Sequence, residues 1–246
     1  MVNLYNLYIK PTLALCLFFL VLPLTLSEEL KVPAEELQVS AAAVIPAENV
    51  IQANFDPLFY QLSVELAKYK HRFLADPRAF HRFIGGVVKP RWDSVSTTSA
   101  LIGKARFKQL PETDKLALVA AVDNTLQRYA FEGLDRYSGQ LFRVVDVVVD
   151  KSAHLGWVQV LMESPLIPDL HLDVLIKKMA AGDWKAVDIR FKGVTYVAIK
   201  KHKFRETMDE KGIQALIDDL QAKNQQYFDE ICRKANIVGK PPCPVR

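Results

Sequence analysis

The chain has 246 residues, room for one large domain or two small ones; half of them are hydrophobic and 24% charged, which excludes a disordered or collagen-like chain. Three Cys are too few for a disulfide-dense mini-protein, and a net charge of +4, with Lys and Arg scattered among acids, shows no basic stripe of the kind nucleic-acid binding uses. A mean hydropathy of +0.05 and a single long apolar run exclude a multi-span membrane protein.

That run comes first. Lys10 is the only charged side chain before Glu28, and the segment TLALCLFFLVLPLTLS at residues 12–27 ends with the small residues Thr25 and Ser27. A positive flank, an apolar stretch and small residues predict a secretory signal peptide over 1–27. The alternative is an uncleaved anchor; the run is short for a span and Pro23 interrupts it. Leu15 before Cys16 is too large for a lipoprotein site, and residues 41–43, all Ala, offer a second cleavage point. Cleavage after residue 27 removes one Lys and no acid, leaving the mature chain one unit less positive. Residues 28–48, with Pro33 and Pro46 and no sustained period, read as a flexible lead-in.

Helical signals follow. Asp56-Pro57 and Asp76-Pro77 each offer an N-cap with Pro at the first helical position. Phe73, Phe80, Phe83 and Ile84 place apolar bulk around the second, and Pro90 ends it. A short helix over 94–102 stops at Gly103. Pro111 opens a long one, to about Leu134, whose Leu116, Val119, Val122, Leu126 and Tyr129 form one stripe at steps of three and four.

The pattern changes at Gly139. Residues 141–149 are Val-rich, and 157–163 form a second strand candidate. Leu170, Leu172, Val174 and Ile176 alternate with His171, Asp173 and Lys177; Val187, Ile189 and Phe191 alternate in the same way. Short connections predict an antiparallel sheet, so the fold class is α+β, with helices packed on that sheet. Residues 194–201 suit a strand or the start of a helix that Gly212 breaks; a last helix then runs to about Ala235. The domain is expected over 49–235, with a Pro-rich tail at 236–246. Cys232 and Cys243 lie eleven positions apart there. In an exported chain two such thiols pair and clip the tail to the helix; the alternative is two free thiols.

Catalytic patterns are sparse. No two of the five His stand at His-x-x-x-His spacing, the tail has no His to complete a zinc site with the two Cys, and no Gly-x-Gly or Gly-x-Ser-x-Gly occurs. Asp188, in an apolar strand, is a candidate general base; the competing reading is a carboxylate bonded to backbone. Trp92-Asp93 and Trp184 read as a turn and a core anchor. From period alone, the apolar faces of helix and sheet read as an ordinary core.

Four segments carry a resemblance: ALIGKARFKQLPE at 100–112, RYAFEGLDRYSGQLF at 128–142, GDWKAVDIRFKGVTYV at 182–197 and FRETMDEKGIQALIDDL at 204–220. They are similar, in order and spacing, to segments of the MlaC-like periplasmic phospholipid-binding proteins over about residues 77–224. Thr195 stands where that family has Ser, the stretch around Asp169, Leu170 and His171 is less typical, and the Cys pair is not a family feature. The resemblance implies an exported periplasmic carrier, not an enzyme, with no cofactor and a bound phospholipid as cargo. It implies helices and a curved sheet enclosing an apolar lipid cavity, with Val122, Tyr129, Val187, Ile189, Val194 and Val197 as candidates for its wall; Lys104, Lys108 and Lys192 are candidates for its mouth, with solvated surface Lys the competing reading of each. It implies as partners an outer-membrane lipoprotein–porin complex and an inner-membrane ABC transporter with its periplasmic substrate-binding subunit.

The chemistry of such cargo sets the size of the site. Two acyl tails of about 28 methylene groups would cost on the order of 20 kcal/mol to expose, so both must be enclosed, in about 1,000 Å³. A charged headgroup is cheaper left in water. The competing classes are a small hydrolase or isomerase with a cavity and Asp188, and an envelope adaptor with a solid core.

Overall fold

A computed structural model of the chain describes residues 46–164, 168–239 and 241–243. The expected signal peptide and most of the expected lead-in lie outside the described residues. All described residues fall in the unit Ala43–Arg246. Among them no helix is long and apolar enough to cross a membrane.

Helix α1 spans Ala47–Ala75 and contains Pro57, so the Asp56-Pro57 pair does not open a helix. Pro57 has no N–H to donate to the preceding turn, a loss of about 3 kcal/mol in a helix interior. Ile51, Phe55, Leu58 and Phe59, on both sides of it, are buried against the sheet. Each such side chain contributes about 1.5–3 kcal/mol, so burial wins and the helix runs through. Ser63 ties α1 down: its hydroxyl donates to the Phe59 carbonyl at 3.0 Å and accepts the Phe142 N–H at 2.7 Å.

Helix α2 spans Pro77–Val87, and its cap is the one the sequence offers: Asp76 Oδ1 accepts the Arg78 N–H at 3.1 Å. A 3₁₀ turn, Lys89–Arg91, and helix α3, Ser94–Ile102, follow. Helix α4 is Lys104–Gln109 and helix α5 is Glu112–Arg136. The predicted α5 stripe holds at Val122 and Leu126, which pack in the α3–α5–α6 cluster, and misses at its start. Leu116 is 66% exposed, while Leu118, Ala121, Val122 and Thr125 are buried. Residues 116–122 are apolar on several sides of the helix, so period alone does not fix which side faces α3.

Strands β1 Leu141–Val149, β2 Leu155–Glu163, β3 Leu170–Lys178, β4 Trp184–Phe191 and β5 Val194–Thr195 form one antiparallel sheet in chain order. The fold is α+β. Val147, Val158, Val174 and Ile189 stand in register across four strands, and Val144, Val160, Leu172 and Phe191 form the next row. The alternation predicted for β4 breaks once. Leu175 pairs with Asp188 and Ile176 with Ala186, which leaves Val187 in a bulge, so Val187 and Asp188 are both buried.

Residues 194–201 resolve into both predicted states: β5 ends at Thr195 and helix α6 runs Tyr196–Lys234. Gly212 interrupts α6 with φ 83° and ψ 172°, a left-handed conformation that Gly adopts without a side-chain clash. Past the break, Leu216, Ile217 and Leu220 pack on Leu118 and Val122 of α5 and on Leu101 and Ile102 of α3. Buried Asn224 donates to the Ala121 carbonyl at 3.0 Å and to Thr125 Oγ1 at 3.1 Å. Phe131 of α5 meets Phe80 at 4.7 Å and Phe228 at 5.8 Å, both edge-on, joining α2, α5 and α6. Cys232 and Cys243 are joined by a disulfide, with Cα atoms 5.5 Å apart.

Candidate functional site

The residues singled out from the sequence lie on β4, the β4–β5 turn, β5, α4, α5 and the first turn of α6. Lys192 and Gly193, with φ of 49° and 80°, make the two-residue turn that folds β5 back on β4. This turn delivers Thr195 to the N-cap of α6, where its side chain accepts the Ala198 N–H at 3.0 Å. Asp188 reaches the same helix end: its Oδ1 accepts the N–H of Val197 at 3.2 Å and of Ile189 at 2.9 Å. Asp188 is therefore held by backbone donors.

From the other side, Thr97 of α3 secures the bulge. It is fully buried, its hydroxyl donates to the Val187 carbonyl at 2.7 Å, and it accepts the Trp92 indole N–H at 3.0 Å. The Asp93 N–H donates to the Ala186 carbonyl at 2.8 Å, and buried Trp184 joins the core under α1.

The candidate wall residues divide into groups. Val122 and Val197 meet in the α3–α5–α6 cluster, the first fully buried and the second partly. Tyr129 is half-buried and meets Tyr196 edge-on at 5.9 Å. Val187 is buried at the bulge, and Val194 is 50% exposed beside the turn. Ile189 belongs to a different surface. With Met162, Leu170, Leu172 and Phe191 it forms a half-buried apolar strip on the strand ends, continuous by register with the core row beneath α1. Lys104 and Lys108 are exposed on α4 and Lys192 at the β4–β5 turn, three cations on two separate elements.

Sequence reasoning passed over Tyr196. It lies inside one of the quoted segments, but a lone Tyr beside apolar residues reads as core. Its hydroxyl is buried with no hydrogen-bond partner among the described residues. Burial, and then neighbouring Tyr129, hold its pKa above that of an ordinary phenol, against the pull of Arg128. Arg128 and Lys200 approach the Tyr129 ring at 5.0 Å and 5.6 Å. Arg128 also borders a shallow depression of about 200 Å³ with Lys223, Gln226, Tyr227 and Glu230. That volume is polar-lined and far below what two acyl chains require. Among the described residues no group of His, Cys, Asp and Glu is arranged to hold a metal ion.

The model of the MlaC protein family matches residues 61–222. Among solved structures, the chain is similar to a phospholipid-binding protein from Ralstonia solanacearum, solved in complex with a phospholipid. The TM-score is 0.59 at 18% identity, over 70% of this chain and 98% of that one. At that identity the likeness shows the fold. No curated protein sequence matches the chain.

Proposed function

The chain belongs to the MlaC protein family, and we propose that it is a periplasmic carrier of glycerophospholipids and not an enzyme. One observation carries this reading: the protein that shares its fold was solved holding a phospholipid. Two features of this chain support it. Asp188, the one candidate base, spends Oδ1 on two backbone N–H groups. The sheet face does not end in closed core but continues into the half-buried strip of Met162, Leu170, Leu172, Ile189 and Phe191.

On this reading both acyl chains lie in an apolar pocket that includes that strip. On the same reading Val122, Tyr129, Val187 and Val197 complete its wall, and Val194, half exposed, stands at its rim. The headgroup stays toward water, because its charge costs several kcal/mol to bury unpaired. Residues 1–27 export the chain, and the domain of 49–235 collects lipid from and delivers it to two partners. These are an outer-membrane lipoprotein–porin complex and an inner-membrane ABC transporter with its periplasmic substrate-binding subunit.

Native mass spectrometry on protein isolated from the periplasm tests the carrier. The expected spectrum shows the folded chain with the added mass of phospholipid, released by organic extraction. A folded chain recovered lipid-free, and unable to take up phospholipid from vesicles, would leave the adaptor class standing.

A further inference from the structure

Two donors are stranded in the same corner of the fold. The Tyr196 hydroxyl and Arg128 Nε are both buried, and neither makes a hydrogen bond among the described residues. Among the described residues the one ion pair of Arg128 is loose, Nε to Glu132 Oε1 at 3.6 Å. A buried donor left unmet costs about 1–3 kcal/mol, so two of them close together call for an acceptor.

The surroundings define what kind. The Tyr129 ring is the hub: Tyr196 meets it edge-on at 5.9 Å, Arg128 lies over it at 5.0 Å and Lys200 at 5.6 Å. Lys200 has no ion pair among the described residues. The acid whose charge reaches Tyr196 is Asp188, and its Oδ1 already serves the Val197 and Ile189 N–H groups. Two cations and a phenol therefore lie around the Tyr129 ring, with Glu132 the acid beside Arg128. Guanidinium, ammonium and hydroxyl donors together suit a phosphoryl oxygen: it is anionic, accepts several bonds and needs no donor of its own.

We propose that Tyr196 and Arg128, gathered with Lys200 around Tyr129, form the polar anchor of the lipid site and hold a phosphoryl oxygen of the cargo. This rests on the carrier reading given above. It adds a chemical preference that acyl burial cannot supply: burial treats a diacylglycerol and a phospholipid of the same chains alike, whereas the anchor selects the phosphate-bearing one. The phenol suits this role, since a tyrosine hydroxyl keeps its proton and is a donor at neutral pH.

The test loads the delipidated full chain in competition with a diacyl phosphatidylglycerol and the diacylglycerol of identical chains, reading retained lipid by native mass spectrometry. Inorganic phosphate alone is titrated in parallel. The wild type is expected to favour the phospholipid by about tenfold or more, the size of one charge-assisted hydrogen bond. Tyr196→Phe removes one oxygen and keeps the ring; it is expected to melt at or above the wild-type temperature while losing most of that preference. Arg128→Gln is expected to lose it as well. A wild type that binds both lipids equally overturns the anchor and leaves the carrier. The same holds if Tyr196→Phe and Arg128→Gln keep the full preference. Tyr196-dependent binding of inorganic phosphate without lipid preference would make this a free-phosphate site and overturn the lipid anchor. A wild type that takes up neither lipid overturns both readings.

Discussion

Asp188 of β4 accepts the backbone N–H of Val197, in the first turn of α6, at 3.2 Å, so one carboxylate joins the bulged strand to the helix that follows the hairpin. The residue is 6% exposed, and its second acceptor contact, to the Ile189 N–H at 2.9 Å, fixes the side chain on its own strand. Thr195 serves the next donor along, at Ala198, so two side chains share the helix end.

Asp188→Ala is expected to strand the Val197 N–H and lower unfolding free energy by about 1–2 kcal/mol, the usual size for loss of an N-terminal cap. Asp188→Asn keeps the Oδ1 acceptor and is expected to lose less. Urea denaturation midpoints check both. An Ala variant as stable as the wild type would mean that the carboxylate is not a cap, and would reopen Asp188 as a catalytic group.

The disulfide closes an eleven-residue loop between Cys232, 2% exposed, and Cys243, 3% exposed. Loop-closure entropy for that length stabilises by about 2–3 kcal/mol. The variant with both Cys changed to Ser is expected to unfold at correspondingly lower denaturant, and a thiol reductant to shift the wild type by the same amount but the variant not at all. Peptide mapping without reductant is expected to show one linked peptide pair. Two free thiols would contradict it.

His81 on α2 sets a pH dependence. Burial is the main cause of its lowered pKa, with Lys89 and Arg82 adding to it, while a hydrogen bond with Gln127 and the charge of Asp123 oppose the shift. Its Nδ1 is buried and makes no hydrogen bond among the described residues. The folded state thus binds this proton less readily than the unfolded chain, where the pKa is about 6.5. Stability is complete above that value and falls as pH drops through it. Melting temperature is expected to decline between pH 7 and pH 5 in the wild type and to stay flatter in His81→Gln. Acids with lowered pKa values, Asp76 and Asp150, enter only at lower pH. An equal decline in both proteins would locate the sensitivity elsewhere.

Much of this architecture was legible because local chemistry decides it. Asp76-Pro77 caps a helix, Gly103 stops one and Gly212 breaks one, each with little tertiary help. Pro57 misled for the opposite reason: a locally unfavourable residue is carried by large side chains that bury against a sheet formed some ninety residues later. The start of the α5 stripe missed similarly, since apolar residues on several sides leave the choice between Leu116 and Leu118 to the partner helices, while Val122 and Leu126 pack as expected. At the site, the segment at 182–197 was recognised as a unit, yet its most informative atom, the Tyr196 hydroxyl, was invisible. A missing hydrogen-bond partner is a property of the assembled corner, and no sequence pattern encodes it.

Ile189 is where the carrier reading meets the fold most directly. It stands in register with Val174 and is half-buried, at the end of the sheet face where α1 no longer completes the cover. Ile189→Glu would put a carboxylate into the strip assigned to acyl chains. In an apolar setting an unpaired charge costs several kcal/mol or stays protonated. If the strip lines a cavity, water entering in place of lipid relieves that cost. The variant is then expected to keep its wild-type circular dichroism spectrum and to be recovered from the periplasm with most of its phospholipid gone. Val194→Glu is the matched control: its side chain is 50% exposed, so the carboxylate stays hydrated and the protein is expected to remain folded and loaded. An unfolded Ile189→Glu would mean that the strip is solid core in the native protein. A folded one with a full complement of lipid would mean that the acyl chains run elsewhere. Either result removes the strip from the pocket, whereas loss of lipid at Ile189 with retention at Val194 separates the wall from the rim.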